Sequence, residues 1–274
     1  MNSSRLAAVA TMMAAVATAA ALTACGGGGG STTPPGPPPA AVGSAGIYAV
    51  DYGQFSGVYT LLDNNEFSGV HFVSGGSVLA GHPHGLLSAT NSTSARDPIA
   101  WANLIDDANQ WGAQELSGVF GRTFSGGALN VSITGSMGSF TATAKGQAGY
   151  DDGSGKTLYG DPIPLSVAAG TYNGGMRSVG LSKPQQGVTG LTLDAAGNLA
   201  ATVGACTFTG TLVQHGTTGV YDARVGTSGS GCGFVPSLGG LATPLAYGGG
   251  KPTWALQLDS ADNMQTAVFI VTKQ

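Results

Sequence analysis

The chain has 274 residues, 47 of them glycine, and a formal charge of −4 from 10 basic and 14 acidic side chains. Charged residues make up 9%, against about 25% in an average soluble domain, while apolar residues hold at 42%. That balance excludes a disordered polyelectrolyte and an electrostatic nucleic-acid binder, and so much glycine excludes a helical bundle, because each interior Gly costs a helix about 1 kcal/mol relative to Ala.

At the amino terminus, Met1 to Arg5 carry one positive charge, and Leu6 to Ala24 follow without a charged residue. A basic start before an apolar stretch is the layout of a secretory signal. The stretch ends in Leu22-Thr23-Ala24-Cys25, which resembles the lipobox of bacterial lipoprotein precursors; an ordinary signal peptide followed by a chance cysteine is the alternative. The resemblance implies that residues 1–24 are cut away and that Cys25 is linked to diacylglycerol through a thioether. It also implies that the new amine is acylated, with palmitate as an expected chain. Two or more acyl chains give stable anchoring where one is marginal. Gly26 stands where that family places the Asp that retains a lipoprotein at the inner membrane. The resemblance therefore implies the outer membrane of a Gram-negative envelope, at its periplasmic face or the cell surface. From Cys25 to residue 45 the chain reads as a Gly/Pro-rich tether, flexible at its glycines and stiffer at its prolines.

From Gly46 onward, apolar residues recur with a period of two and turn residues arrive every 8–12 positions, the pattern of an antiparallel all-β sandwich or barrel. Val58–Leu62 and Phe67–Val73 flank Asp63-Asn64-Asn65-Glu66, a hairpin whose Asn pair tolerates the positive φ of a tight turn. Asp97-Pro98, followed by Trp101, Leu104, Ile105, Ala108 and Trp111, has helical spacing and predicts a short amphipathic helix near 98–111. Its two Trp are the candidate ligand-stacking residues, with plain core packing as the alternative. Leu129, Val131 and Ile133, then Phe140, Ala142 and Ala144, form a second hairpin around Gly135–Gly138. A faint echo of the Ser56–Gly69 hairpin at Thr189–Thr202 suggests two β-rich halves, 46–162 and 163–274, although convergent hairpin grammar explains it equally well. In the second half, strands are expected at 188–193, 199–203, 206–212, 220–225 and 254–258. The closing segment Gln265–Thr272 is apolar on both faces, so it is expected inside a closed sheet and not at an edge.

Three residues, Cys25, Cys206 and Cys232, are the cysteines. With Cys25 assigned to lipid, the remaining pair in an exported chain reads as a disulfide. A zinc or redox role is the alternative, but there is no CxxC and the one nearby histidine is His215. The best metal-ligand candidates lie earlier, in Gly81-His82-Pro83-His84-Gly85 with His71 on the preceding strand. No carboxylate falls within ten residues of the pair, and a solvated His pair in a Gly/Pro loop is the reading preferred here, with no cofactor expected. Gly149–Thr157 misses the phosphate-loop pattern at Tyr150, and Asp151-Asp152-Gly153 lacks the alternating oxygen ligands of a calcium loop. There is no Gly-x-Ser-x-Gly elbow and no obvious carboxylate pair for glycoside cleavage. No catalytic residue is assigned.

In its lipobox, its Gly/Pro tether and its Gly-rich strands in two halves, the chain loosely resembles the transferrin-binding-protein-like β-barrel surface lipoproteins. That resemblance implies a membrane-anchored, non-catalytic binding module for a protein or small-molecule ligand; no ligand-contacting motif carries over. A structural or assembly role in the envelope is the alternative, and a hydrolase or metal-binding protein ranks below both. The tether holds seven of the glycines, which leaves 40 for the body. Those within strands, such as Gly57, Gly69 and Gly210, predict bulges, sharp coiling or close backbone approach.

Overall fold

In a computed structural model, residues 45–52, 55–73, 79–86, 96–103, 115–125, 128–135, 138–179 and 185–274 are described. Among the described residues, sixteen antiparallel strands and one helical turn form two successive eight-stranded barrels. The first barrel consists of β1 (Gly46–Tyr52), β2 (Phe55–Leu61), β3 (Glu66–Val73), β4 (Leu79–Leu86), β5 (Arg96–Asn103), β6 (Glu115–Ser125), β7 (Ala128–Gly135) and β8 (Gly138–Lys145). Each strand pairs with the next, and the sheet curls until β1 meets β8 at one paired position, Asp51 with Thr143. A connector then leads through the single turn α1 (Leu165–Ala168) to the second barrel. Its strands are β9 (Gly170–Val179), β10 (Gln185–Leu193), β11 (Asn198–Val203), β12 (Cys206–Gln214), β13 (Tyr221–Ser228), β14 (Ser237–Gly248), β15 (Lys251–Asp259) and β16 (Thr266–Lys273). Here closure is complete: β9 runs along β16 from Tyr172 to Val179. Both barrels lie within one compact unit, Pro39–Gln274.

The alternation in the sequence builds the second lumen directly. Leu199, Ala201 and Val203 of β11, Cys206, Phe208 and Leu212 of β12, and Trp254, Leu256 and Leu258 of β15 are all buried in one core. On β10 the spacing lengthens to three between Val188 and Leu191, and the register slips there. Gly190 takes φ +72° at that bulge, and its N–H donates to Asn173 Oδ1 at 2.9 Å, so both flanking apolar residues still face inward. Gly210 answers to close approach: a Cβ there would lie 2.2 Å from the Arg224 carbonyl oxygen. The closing strand sits between β15 and β9, as its two apolar faces require, and the Cys206–Cys232 disulfide is formed. The early hairpins also form as expected, with Asn65 in the β2–β3 turn at φ +69° and Leu129 paired to Ala144 between β7 and β8.

The segment near 98–111 is a correction. Residues 98–103 belong to β5, where Pro98 pairs with Val119 and Trp101 with both Pro83 and Glu115; residues 104–114 lie outside the described residues. The apolar spacing of three and four favours a helix locally, but β5 gains two ladder partners and bulges between Ile99 and Trp101 to keep them. Tertiary pairing outweighs propensity here.

The barrels meet along a seam to which β1 to β4 contribute from the first barrel and β9, β14, β15 and β16 from the second. Val70, Val179, Ala255 and Val268 form one buried apolar cluster across it, and Ile47, Leu62, Leu158, Val220 and Leu241 form another. Because β15 is covered on both faces, Ala255 and Gln257 are as buried as Trp254 and Leu256. Between the apolar patches runs a polar belt. Thr60 Oγ1 and Thr243 Oγ1 are 3.1 Å apart, Gln257 Nε2 donates to Thr243 Oγ1 at 3.3 Å, and the Ser68 hydroxyl donates to Gln257 Oε1. Buried polar groups of this kind are tolerable because each finds a partner.

Candidate functional site

Beside the polar belt, the seam holds a cluster of titratable side chains, His82, His84 and Asp259. His82 and His84 do not lie in a solvated loop, as their Gly/Pro setting suggests. They sit two residues apart on β4, so both project from the same face. Val70 belongs to the apolar seam, and strand register places it opposite His82; Ser68 pairs with His84. That face therefore looks toward the second barrel. His71, the third candidate, falls on the opposite face of β3 and hydrogen-bonds the buried Tyr59 hydroxyl through Nε2 at 2.6 Å. The sheet separates it from the pair. Burial, reinforced by the charge of His82, pushes the His71 imidazole down to about 3.

What joins the pair is a residue 177 positions away from His82, Asp259 at the end of β15. His82 is fully buried. Its Nδ1–H donates to the Gly69 carbonyl at 2.7 Å, and its Nε2 lies 3.1 Å from Asp259 Oδ2. On the other side of the sheet, the missing side chain of Gly69 makes way for Tyr59, whose ring carbon Cδ1 would stand 2.6 Å from a Cβ. The other carboxylate oxygen, Oδ1, accepts the Thr266 hydroxyl at 2.6 Å. His84 stacks on His82 with ring centroids 4.7 Å apart, and its Nδ1 lies 3.8 Å from the same Asp259 Oδ2.

The β15–β16 turn supplies the last member. Ser260 and Gln265 close it by a backbone hydrogen bond of 2.9 Å, and Asn263 adopts φ +56°. This places Asn263 Oδ1 3.3 Å from His84 Nε2, which donates to it. His84 Nδ1 is thereby left buried without a hydrogen-bond partner.

Electrostatics follow from this layout. Burial alone would lower the His82 imidazole, but the Asp259 charge and hydrogen bond, helped by the Gly69 carbonyl, hold it above its ordinary value. Burial would likewise raise Asp259, yet His82, His84 and Thr266 keep it below the usual carboxylate range. Burial and the charge of His82 lower His84 in spite of Asp259. A proton shared by His82 and Asp259 is one way to satisfy the group; a cation held by all three side chains is another.

A second histidine bridges the barrels nearer the solvent. His215 Nδ1 lies 2.9 Å from Asp222 Oδ1, and its Nε2 lies 3.3 Å from Asp63 Oδ1 in the β2–β3 turn. Burial lowers its imidazole, but the hydrogen bonds and charges of the two aspartates outweigh this and raise it.

The other predicted positions fare differently. Cys25 and Trp111 lie outside the described residues, and Trp101 is placed on β5 without a described side chain. Cys206 and Cys232 are joined. Asp259, Asn263 and Thr266 carried no signal of their role, since an Asp and an Asn in a turn are ordinary turn chemistry. The second lumen is filled: its described cavity, lined by Tyr172, Leu191, Leu193, Trp254 and their neighbours, measures about 10 Å³, room for at most one water. Among the described residues, no helix is long and apolar enough to cross a membrane.

No family model and no curated protein matches the chain. Among solved structures, it is similar to the crystal structure of a protein of unknown function from the DUF3598 family of Nostoc punctiforme. The match has 11% identity and a TM-score of 0.27, covers 84% of this chain and 95% of that one, and is too slight to carry an argument about function.

Proposed function

We propose that this protein is a lipid-anchored module of a Gram-negative outer membrane, held by acyl chains on Cys25 and carried off the lipid surface by the 25–45 tether. Its two-barrel body binds a partner without catalysing a reaction. The lipobox-like Leu22-Thr23-Ala24-Cys25 carries the anchoring part of this reading, and the Cys206–Cys232 disulfide suits an oxidising, extracytoplasmic compartment. The packed second lumen supports recognition by an outer surface over capture of a small ligand inside that barrel.

The test is metabolic labelling with a palmitate analogue in a Gram-negative host, followed by fractionation and protease shaving of intact cells. The native chain should carry label and sediment with outer membranes, and Cys25→Ala should lose both. An unlabelled native chain in the soluble fraction would defeat the anchored reading. Cleavage on intact cells would place the body at the surface, whereas protection would favour a periplasmic face and a structural role.

A further inference from the structure

The His82, His84 and Asp259 group contains one more unmet contact than a proton can satisfy. Nδ1–H of His82 is committed to the Gly69 carbonyl, Nε2–H of His84 to Asn263 Oδ1, and Oδ1 of Asp259 to the Thr266 hydroxyl. The atoms that remain are His82 Nε2, His84 Nδ1 and Asp259 Oδ2, and one ligand atom from each of the three residues lies within 4.8 Å of the others. A proton on His82 Nε2 satisfies the 3.1 Å contact with Asp259. It leaves the bare Nδ1 of His84 buried and facing the same carboxylate oxygen at 3.8 Å. A cation shared by all three turns every one of these contacts attractive.

We propose that His82 Nε2, His84 Nδ1 and Asp259 Oδ2 bind one divalent transition-metal ion, with zinc the best fit, at the seam between the two barrels. The donor set of two imidazoles and one carboxylate is zinc chemistry, with a fourth position left for water. The side chains of His84 and Asp259 keep 16% and 13% exposure, whereas that of His82 has none. Zinc bonds of about 2.0–2.1 Å put tetrahedral donors roughly 3.3 Å apart. The 3.1 Å separation already meets this; to close the 3.8 Å one, the His84 ring turns out of its stack on His82, so that both imidazoles hold the ion in their own planes. Each ligand's other polar atom is held by a carbonyl, an amide or a hydroxyl, the outer shell that fixes a metal-binding imidazole's tautomer and a carboxylate's orientation. Since β4 supplies two ligands and β15 the third, the ion fastens one barrel to the other. This inference is independent of the lipid anchor.

The test uses the full chain in detergent micelles, stripped with a chelator and dialysed against zinc alone. One equivalent should bind per chain at micromolar free zinc and raise the unfolding temperature. Cobalt(II) in its place should give the intense visible bands of a tetrahedral site. Ferrous ion should bind more weakly, following the usual order of divalent affinities. Asp259→Asn and His84→Gln should each weaken zinc binding by about a hundredfold or more, and Thr266→Val by about tenfold, the scale of an outer-shell loss. His215→Gln, at the other junction, should leave uptake unchanged. A folded chain that takes up no zinc would overturn the proposal, as would uptake that survives both ligand substitutions. If either variant fails to fold, the cobalt spectrum of the unaltered chain decides, and weak bands of octahedral cobalt would overturn the site.

Discussion

Among the described residues, histidine joins the two barrels at two places, one deep and one near the solvent. At one junction His82 is fully buried and the Asp259 side chain is 13% exposed, with the outer polar atoms of both held by Gly69 and Thr266. At the other, His215 spans Asp222 and Asp63, whose side chains are 48% and 70% exposed. Similar chemistry at different depth has different consequences. Near water, the charges are screened and each carboxylate is solvated whether or not the histidine is there. In the seam, removing one member leaves the others with little solvent to replace it, so the buried junction holds its geometry while the outer one contributes little.

The largest contrast is expected from the aspartates in the metal-free chain. Asp259→Ala should cost about 3–5 kcal/mol of unfolding free energy, the scale of breaking a buried ion pair, whereas Asp63→Ala should cost below about 1 kcal/mol. Denaturant titration of both variants checks this, and equal losses would erase the distinction between the junctions.

Acid should come next, acting through His71 on the inner side of the same sheet. Its folded value of about 3 lies below the unfolded 6.5, so the neutral form is the one that folding favours. That contribution is fully present above pH 6.5 and is lost as pH falls from there toward 3, by on the order of 4 kcal/mol. His71→Gln should flatten the acid limb of the stability curve. An unchanged slope between pH 6 and 4 would mean that His71 is not held neutral.

Smaller effects separate the outer shell from the surface. Thr266→Val removes the hydroxyl that fixes Asp259 Oδ1 and should cost roughly 2 kcal/mol, the range for a hydrogen bond to a charged group. His215→Gln should cost below about 1 kcal/mol. Because the His215 imidazole is raised, its contribution is present below pH 6.5 and is lost as pH rises through the folded value; salt should weaken it at any pH in between. A His215→Gln effect insensitive to salt would contradict the surface reading.

How much of this was legible in the chain itself divides along the same line between local and distant. Hairpins such as 129–144 announce themselves because alternation and a turn lie within twenty residues, and the pairing of Cys206 with Cys232 is expected once the amino terminus is read as an export signal and the other two cysteines as a pair. Gly69 and Gly210 signalled close approach by interrupting strands, though nothing told which group would approach. The β5 segment misled because Trp101, Leu104 and Ile105 fall at helical intervals, while the partners that make it a strand, around Pro83 and Val119, lie on neighbouring strands. The site was half visible. Two histidines at i and i+2 share a strand face by elementary geometry, but Asp259 reaches them only because the second barrel docks there. His71 stands near the pair in sequence, but the alternation of β3 turns it to the other side of the sheet.

The most direct measurement is X-ray absorption at the zinc edge on the full chain loaded with one equivalent of zinc. The account predicts a four-coordinate ion with two imidazole nitrogens and two oxygen ligands at about 2.0–2.1 Å, losing one imidazole in His84→Gln. A spectrum of fully hydrated, six-coordinate zinc, with no imidazole scattering, would contradict it.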